Sequence, residues 1–338
     1  MSSSNPVRVG LVGTGAISQV VHVPILSERE DVEFVALADR DPHKARALAD
    51  RFGVGRVMDA EAMIVSDELD AVFLCTPNDL HEEMAVGALR SGKHVFVERP
   101  LAPTSEGAAR VVQAARDSDR LLAVGMPHRF RPEVSALRSF VAGGELGDLY
   151  AVRGSWMTRP VATSRPGWRQ QRKTAGGGAL VELGIPALDL CMWLMGFPEI
   201  KRISCVVSKG DYEVEDAASL MAETVDGVAL TLEVSTRLFS GDDRYFAQVL
   251  GREGSGSLLP LEVYKQLGGR PLEVTPRQPR PRGGENPYTN AYRRLIDEFI
   301  RGVGGRSGIL RLPEEQVRLM ALVEAAYKAA ETGREVHL

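Results

Sequence analysis

Two glycines and one carboxylate are the residues of this chain best spaced for a defined chemistry. Gly13 and Gly15 follow an apolar run (Val7, Val9, Leu11, Val12), and Ala16 to Leu26 can continue as a helix interrupted only by Pro24. A strand, a glycine turn and a helix N-terminus together offer a pyrophosphate free backbone N–H groups and the positive end of a dipole. The third glycine of the G-x-G-x-x-G pattern is Ser18 here, so the pattern takes its weight from context. That context is a second apolar run, Val32, Phe34, Val35 and Leu37, which ends at Asp39. A carboxylate there accepts hydrogen bonds from adenosine ribose hydroxyls and repels a 2′-phosphate, which favours NAD over NADP. Arg40, next to it, would welcome that phosphate and keeps NADP open.

A second group lies in mid-chain. Gly176-Gly177-Gly178 precede a helical stretch in which Glu182, Pro186 and Asp189 stand at i, i+4 and i+7, on one face. The glycines would permit close approach of a ligand, and Pro186, lacking an N–H, places a helix start or bend nearby. His128 and Lys173 add titratable groups, one just after the last parallel strand and one on a loop shortly before the glycines. A buried Glu182 would be a further base, because burial raises a carboxyl pKa.

The elements that must hold these residues fall into two patterns. The first third alternates strand and helix: strands end at Val12, Ala38, Cys75, Val97 and Val124, with helices over Pro42–Arg51, Asp79–Ser91 and Ser105–Ser118. Such alternation predicts a doubly wound parallel sheet whose ligands sit outside the carboxyl ends of the strands. Three loops are therefore chemically placed: Thr76-Pro77-Asn78, Glu98-Arg99-Pro100, and Gly125 to Arg131. After one helix at Glu133–Ala142 the chain turns β-rich, over Leu149–Trp156, Ile200–Val207, Ala217–Glu223, Val228–Ser235 and Tyr245–Leu250. Two late helices follow, near Tyr288–Arg301 and Pro313–Thr332. This predicts an α/β chain with an N-terminal Rossmann domain over 1–126. An α/β domain over 127–338 would carry a large open, mostly antiparallel sheet. Thr275 to Pro287, rich in proline and arginine, reads as a loop.

Composition narrows the function classes. A chain of 338 residues with 44% hydrophobic and 25% charged residues is of ordinary globular make-up, and a net charge of −4 gives no drive toward nucleic acid. No segment is expected to approach the apolar length of a membrane span, and the start, Met-Ser-Ser-Ser-Asn-Pro, lacks a signal pattern. Cys75, Cys191 and Cys205 are odd in number and scattered. They read as buried thiols in a reducing cytoplasm, with no metal-ligand spacing.

In order along the chain, several segments resemble the Gfo/Idh/MocA family of glucose–fructose oxidoreductase and inositol dehydrogenase. They are Gly13-Thr14-Gly15-Ala16-Ile17, Asp39, Cys75-Thr76-Pro77-Asn78 with His81, Glu98-Arg99-Pro100-Leu101, Gly125 to Pro132, the triple-glycine helix, Gly251 to Gly256 and the closing Thr332-Gly333-Arg334-Glu335-Val336. The resemblance implies a Rossmann domain followed by an open-sheet domain that buries one face in homodimers or homotetramers. It also implies hydride transfer between NAD or NADP and a sugar-, inositol- or polyol-like carbinol or ketone. Gly13, Gly15, Ala16 and Ile17 would line the pyrophosphate, and Asp39 and Arg40 the ribose. Thr76, Pro77, Asn78, His81 and Glu98 would flank the path to the nicotinamide, and the peptide before Pro100 would be cis.

The chain departs from the family where the family moves protons. Typical dehydrogenase members read Glu-Lys-Pro where this chain has Glu98-Arg99-Pro100, and Asp then His where it has Glu182 and Pro186. Arginine stays protonated and can only orient or polarise an oxygen, and proline does not titrate. Arg99, Lys173, Glu182 and His128 are therefore the catalytic candidates, with Trp168, Asp189 and Arg129 around the substrate, Asp189 alternatively capping a hydrogen bond in the core. The same replacements keep two other functions in view. One is a dinucleotide-binding regulator or scaffold without turnover. The other is an enzyme with permanently bound NAD that oxidises its substrate transiently, as an epimerase, lyase or glycosidase would.

Overall fold

A computed structural model describes residues 5–160, 167–278, 286–306 and 313–338. Two units are compact in themselves: residues 1–127 with 288–317, and residues 128–287 with 318–338. The late helix Pro287–Val303, expected in the second domain, thus belongs almost wholly to the first unit. Part of the loop read over Thr275–Pro287, residues 279–285, lies outside the described residues.

The first unit is built on six parallel strands: β1 (Val7–Val12), β2 (Val32–Ala38), β3 (Arg56–Val57), β4 (Ala71–Leu74), β5 (His94–Val97) and β6 (Leu122–Val124), in the order β3-β2-β1-β4-β5-β6. The order reverses between β1 and β4, so the chain parts at the carboxyl end of β1, where the glycine turn lies. All four residues of β4 and three of the four in β5 are buried, as a sheet covered on both faces requires. Phe73 and Phe96 stack with centroids 4.8 Å apart, and Phe299 of the late helix meets both edge-on. Each ring contributes roughly 1.5–3 kcal/mol by leaving water. The late helix can cover the sheet because Ala291, Tyr292, Leu295, Ile296, Phe299 and Ile300 fall on one stripe.

The second unit carries nine strands: β7 (Leu149–Met157), β8 (Ile200–Lys209), β9 (Glu215–Thr224), β10 (Ala229–Ser235), β11 (Arg244–Gly251), β12 (Gly254–Leu258), β13 (Glu262–Leu267), β14 (Arg270–Glu273) and β15 (Val336–His337). Their order is β14-β13-β12-β11-β7-β10-β9-β8-β15, antiparallel throughout except for the β7–β10 pair. Register separates the two faces. Val152, Leu230, Leu220 and Val249 point inward and are buried, whereas Val206, Met221 and Phe246 on the other face are exposed. The helical run Arg172–Met195 covers the inner face. By length and composition it would pass for a membrane span, which corrects the expectation from sequence. With 83% of its apolar window buried within the fold, it is the core helix of this unit.

Candidate active site

The glycine turn assigns separate tasks to its two glycines. Gly13 has φ +96°, and a Cβ on it would collide with the carbonyl oxygen of Cys75 at the end of β4. Gly15 is exposed, with nothing within 4 Å of where a Cβ would stand. The turn is tethered beneath by Ser18 Oγ, which donates to the Gly13 carbonyl at 2.5 Å, and by Gln19 Nε2, which donates to that of Thr14 at 2.8 Å. The serine in place of the third glycine is therefore a buried strut. Asp39 closes the other side: one oxygen accepts from Thr14 N and Thr14 Oγ1, both at 2.7 Å, and the other from Asp41 N at 2.9 Å. Burial works against its charge, but the amide donors of Asp41 and Thr14 outweigh it and hold the carboxyl below its usual range. An open backbone cradle beside an ionised carboxylate fits a dinucleotide. Ala16 and Arg40 are exposed, and Ile17 half-buried, around it.

Two residues expected along the cofactor path are internal instead. His81 is fully buried, its ring nitrogens 2.7 Å from the Pro100 carbonyl oxygen and 2.9 Å from that of Thr76. It pins two loops together and has no edge left for a ligand, which corrects its assignment as a cofactor contact. Burial pushes its pKa down. Glu98 is likewise 8% exposed, and both its oxygens are engaged: His22 Nε2 at 2.7 Å on one, and the Tyr292 hydroxyl donating at 3.1 Å to the other. Gly125 leaves room for that carboxylate, since a Cβ there would lie 2.6 Å from it. Burial opposes its ionisation, yet His22, with Arg99 and Tyr292, keeps the Glu98 pKa low. Burial would likewise lower His22, but Cys75 and then Glu98 raise it to about 10, so the two form a buried ion pair at neutral pH. The peptide between Arg99 and Pro100 is cis. Thr76 and Pro77 are half-buried and Asn78 is buried.

In the second unit the candidates separate. Asp189 is 1% exposed and accepts from Arg129 through both oxygens, Nε at 2.8 Å and Nη2 at 2.5 Å. Arg129 was expected to face substrate, and Asp189 either substrate or a hydrogen bond in the core. They face each other, with the Arg129 guanidinium 5.0 Å from the Phe197 ring centre, a core pairing. Glu182 pairs with Arg169 at 3.0 Å and its side chain is 38% exposed, so the burial that a carboxyl base required is missing. Arg169 also lies over Trp168, 4.3 Å from the ring centre. His128 is 6% exposed, stacked on Tyr245 and edge-on to Trp156. Lys173 is exposed in the short helix Arg172–Ala175, without an ion-pair or hydrogen-bond partner among the described residues.

The glycines before this helix serve the fold. A Cβ on Gly177 would collide with the Tyr327 hydroxyl, and one on Gly178 with the backbone oxygen of Glu215. The room they leave is filled by the protein, where the sequence suggested a ligand. Pro186 sits in the first turn of the α-helical part Ile185–Met195, as its missing N–H allows.

The family model described as "Oxidoreductase family, NAD-binding Rossmann fold" matches residues 7–126, and that of its C-terminal α/β domain matches residues 138–338. The chain belongs to the Gfo/Idh/MocA oxidoreductase family. Within it, the D-glucoside 3-dehydrogenase of Escherichia coli (strain K12) is 31% identical over 99% of each chain. The inositol 2-dehydrogenase of Rhizobium meliloti (strain 1021) is 26% identical over 98% of this chain and 99% of its own. GenD2 from gentamicin A biosynthesis, solved with NAD, superposes with a TM-score of 0.85 at 26% identity, covering 99% of this chain and 97% of its own. Levoglucosan dehydrogenase in complex with NADH and L-sorbose shares the fold at a TM-score of 0.88 and 22% identity, over 98% of this chain and 99% of its own. The turn at Gly13–Ile17 and Asp39 thus belong to a Gfo/Idh/MocA Rossmann domain, and its cofactor is NAD.

Three buried polar residues of this family member, His22, Tyr292 and Glu215, and the half-buried Tyr327 were not picked out from sequence. The signal available for two of them was a polar residue inside an apolar stripe, His22 between Val21 and Val23, and Tyr292 among Ala291, Leu295 and Ile296.

Proposed function

We propose that this oxidoreductase transfers hydride between NAD and a ring carbinol or ketone of a glucoside- or inositol-like substrate. The observation that carries it is the open cradle at Gly15 next to the ionised Asp39, in a chain matched end to end by a D-glucoside 3-dehydrogenase. Gly15, Ala16 and Ile17 would hold the pyrophosphate, and Asp39 the adenosine ribose. NAD, when bound, supplies the hydride acceptor or donor. The remaining work falls to side chains. Arg99 polarises the substrate oxygen without exchanging its proton. Lys173, an exposed ammonium with no competing partner among the described residues, gives its proton to the carbonyl oxygen in the reduction direction and, as the free amine so formed, takes it back in the oxidation. Trp168, with Arg169 over one ring face, would offer the other to a sugar.

The chain works as a homo-oligomer in a reducing cytoplasm. The exposed sheet face around Val206, Met221 and Phe246 supports the first statement, and three buried free thiols support the second.

The test offers NADH deuterated at C4 with a panel of 3-keto-glucosides and inosose ketones, and NAD with the matching alcohols, and searches the products by mass spectrometry. Deuterium in a polyol product establishes hydride transfer and its substrate class. Absence of label, with NADH binding shown by quenched tryptophan fluorescence, overturns turnover and favours a dinucleotide-binding regulator. Lys173→Met is expected to lower kcat by roughly 10²–10⁴ while NADH binding persists.

A further inference from the structure

Two carboxylates two residues apart each cap a different helix in the second unit. Glu213 Oε2 accepts from the backbone N–H of Arg172 at 2.9 Å, at the start of the short helix that carries Lys173. Glu215 Oε1 accepts from the N–H groups of Gly178 at 2.9 Å and Leu180 at 3.0 Å, at the start of the helix that carries Glu182. Tyr327, from the helix Glu315–Thr332, donates its hydroxyl to the same oxygen at 2.8 Å. Its ring also lies under Arg172, 5.4 Å from the guanidinium carbon, and Arg172 reaches Glu331 on the same helix at 3.5 Å.

Glu215 is 2% exposed, and its Oε2 is buried with no hydrogen-bond partner among the described residues. A carboxylate so expensive to bury is an odd choice for a cap, which an exposed Ser, Thr or Asp would provide at lower cost. What it achieves is reach, since one oxygen joins a strand, a helix start and the C-terminal helix. Gly177 and Gly178 are small because Tyr327 and the Glu215 backbone occupy the space where their Cβ atoms would be. The stretch from Arg172 to Leu180 is thereby held at its start by Glu213 and at its end by Glu215.

We infer that Glu215 and Tyr327 are positioning residues for Lys173, a clamp that sets the ammonium-bearing turn relative to the Glu182 helix. The inference rests on the role assigned to Lys173 above, and its test separates the two. In Tyr327→Phe the ring stays and one hydrogen bond goes. In Glu215→Gln the shape stays and the charge goes.

Reaction of the holoenzyme, loaded with NADH, with trace acetic anhydride, followed by peptide mass spectrometry, gives the labelling rate of Lys173 against Lys44 as reference. The clamp predicts a change of at least about threefold in that ratio in both variants, with circular dichroism and NADH quenching unchanged. It also predicts about a tenfold loss of kcat on methyl β-D-glucoside, little change in KM, and no further loss when Tyr327→Phe is added to Lys173→Met. An unchanged labelling ratio in both variants overturns the clamp, and so do losses that multiply in the double variant. Wild-type turnover by Lys173→Met would instead overturn the proton role of Lys173, leaving the labelling ratio to judge the clamp.

Discussion

At the scale of single residues, the buried pair of His22 and Glu98 ties the helix behind the glycine turn to the loop that presents Arg99. The His22 pKa in the folded chain, about 10, lies above its ordinary 6.5. The stability it contributes is therefore complete below pH 6.5 and is lost as pH rises toward 10. His22→Asn is expected to cost about 3–5 kcal/mol at pH 7, as removal of one partner of a buried pair does. It should also flatten the decline of the urea midpoint between pH 7 and 10, and equal slopes in the two proteins would contradict the pairing. Asp39→Ala removes charge-assisted acceptors worth about 1.5–3 kcal/mol, so NADH binding should weaken by roughly 10–100-fold in a fluorescence titration. NADPH should gain ground relative to NADH because Arg40 remains. The glycine turn, Ser18 and Asp39 were legible because local spacing determines their task. Asp189, Arg129 and His81 were not, because sequence supplies a chemical type and no partner. Asp189 and Arg129 are 60 residues apart; a core hydrogen bond was one of two readings open for Asp189, but nothing local named Arg129, assigned to a substrate, as its partner.

Elements were legible in proportion to how strongly they alternate. The helix Ser105–Ser118 and the strand His94–Val97 stand where the pattern placed them. The strands β12 to β14 were missed for a physical reason. β12 reads Gly-Ser-Gly-Ser-Leu and has little side chain to alternate, while most of β13 and all of β14 lie exposed at the sheet edge. The one local signal was Gly268-Gly269, both at positive φ, a two-glycine turn of the kind that closes hairpins. The triple-glycine segment was legible as a place of close approach, but what approaches is the fold's own Tyr327 and Glu215. Gly178→Ala should therefore destabilise by about 1–3 kcal/mol in a urea titration, the usual cost of overpacking, because the obstructing atoms belong to backbone. An alanine tolerated without loss would show that a ligand, and not the chain, needs that space.

For the molecule as a whole, fold class and family were readable from an ordered set of weak motifs, and the closure of its units was not. The outer sheet face shows how much one surface decides. Met221 and Val206 are 59% and 71% exposed there, on neighbouring strands. Met221→Glu combined with Val206→Glu should lower the mass measured by light scattering while NADH binding holds. An unchanged mass would count against self-association through this face.

The return of residues 288–317 to the first unit has a consequence for how the protein is made. A ribosome finishes β6 after little more than a third of the chain, so the NAD-binding sheet has all its strands early. Phe73, Phe96 and the His22–Glu98 pair still lack Tyr292 and Phe299, which are synthesised last but for the C-terminal segment. Until then the nascent domain carries an uncovered aromatic surface with a charge pair at its centre. Premature release at that stage would deliver a sticky fragment to the chaperones, and not a small working nucleotide binder.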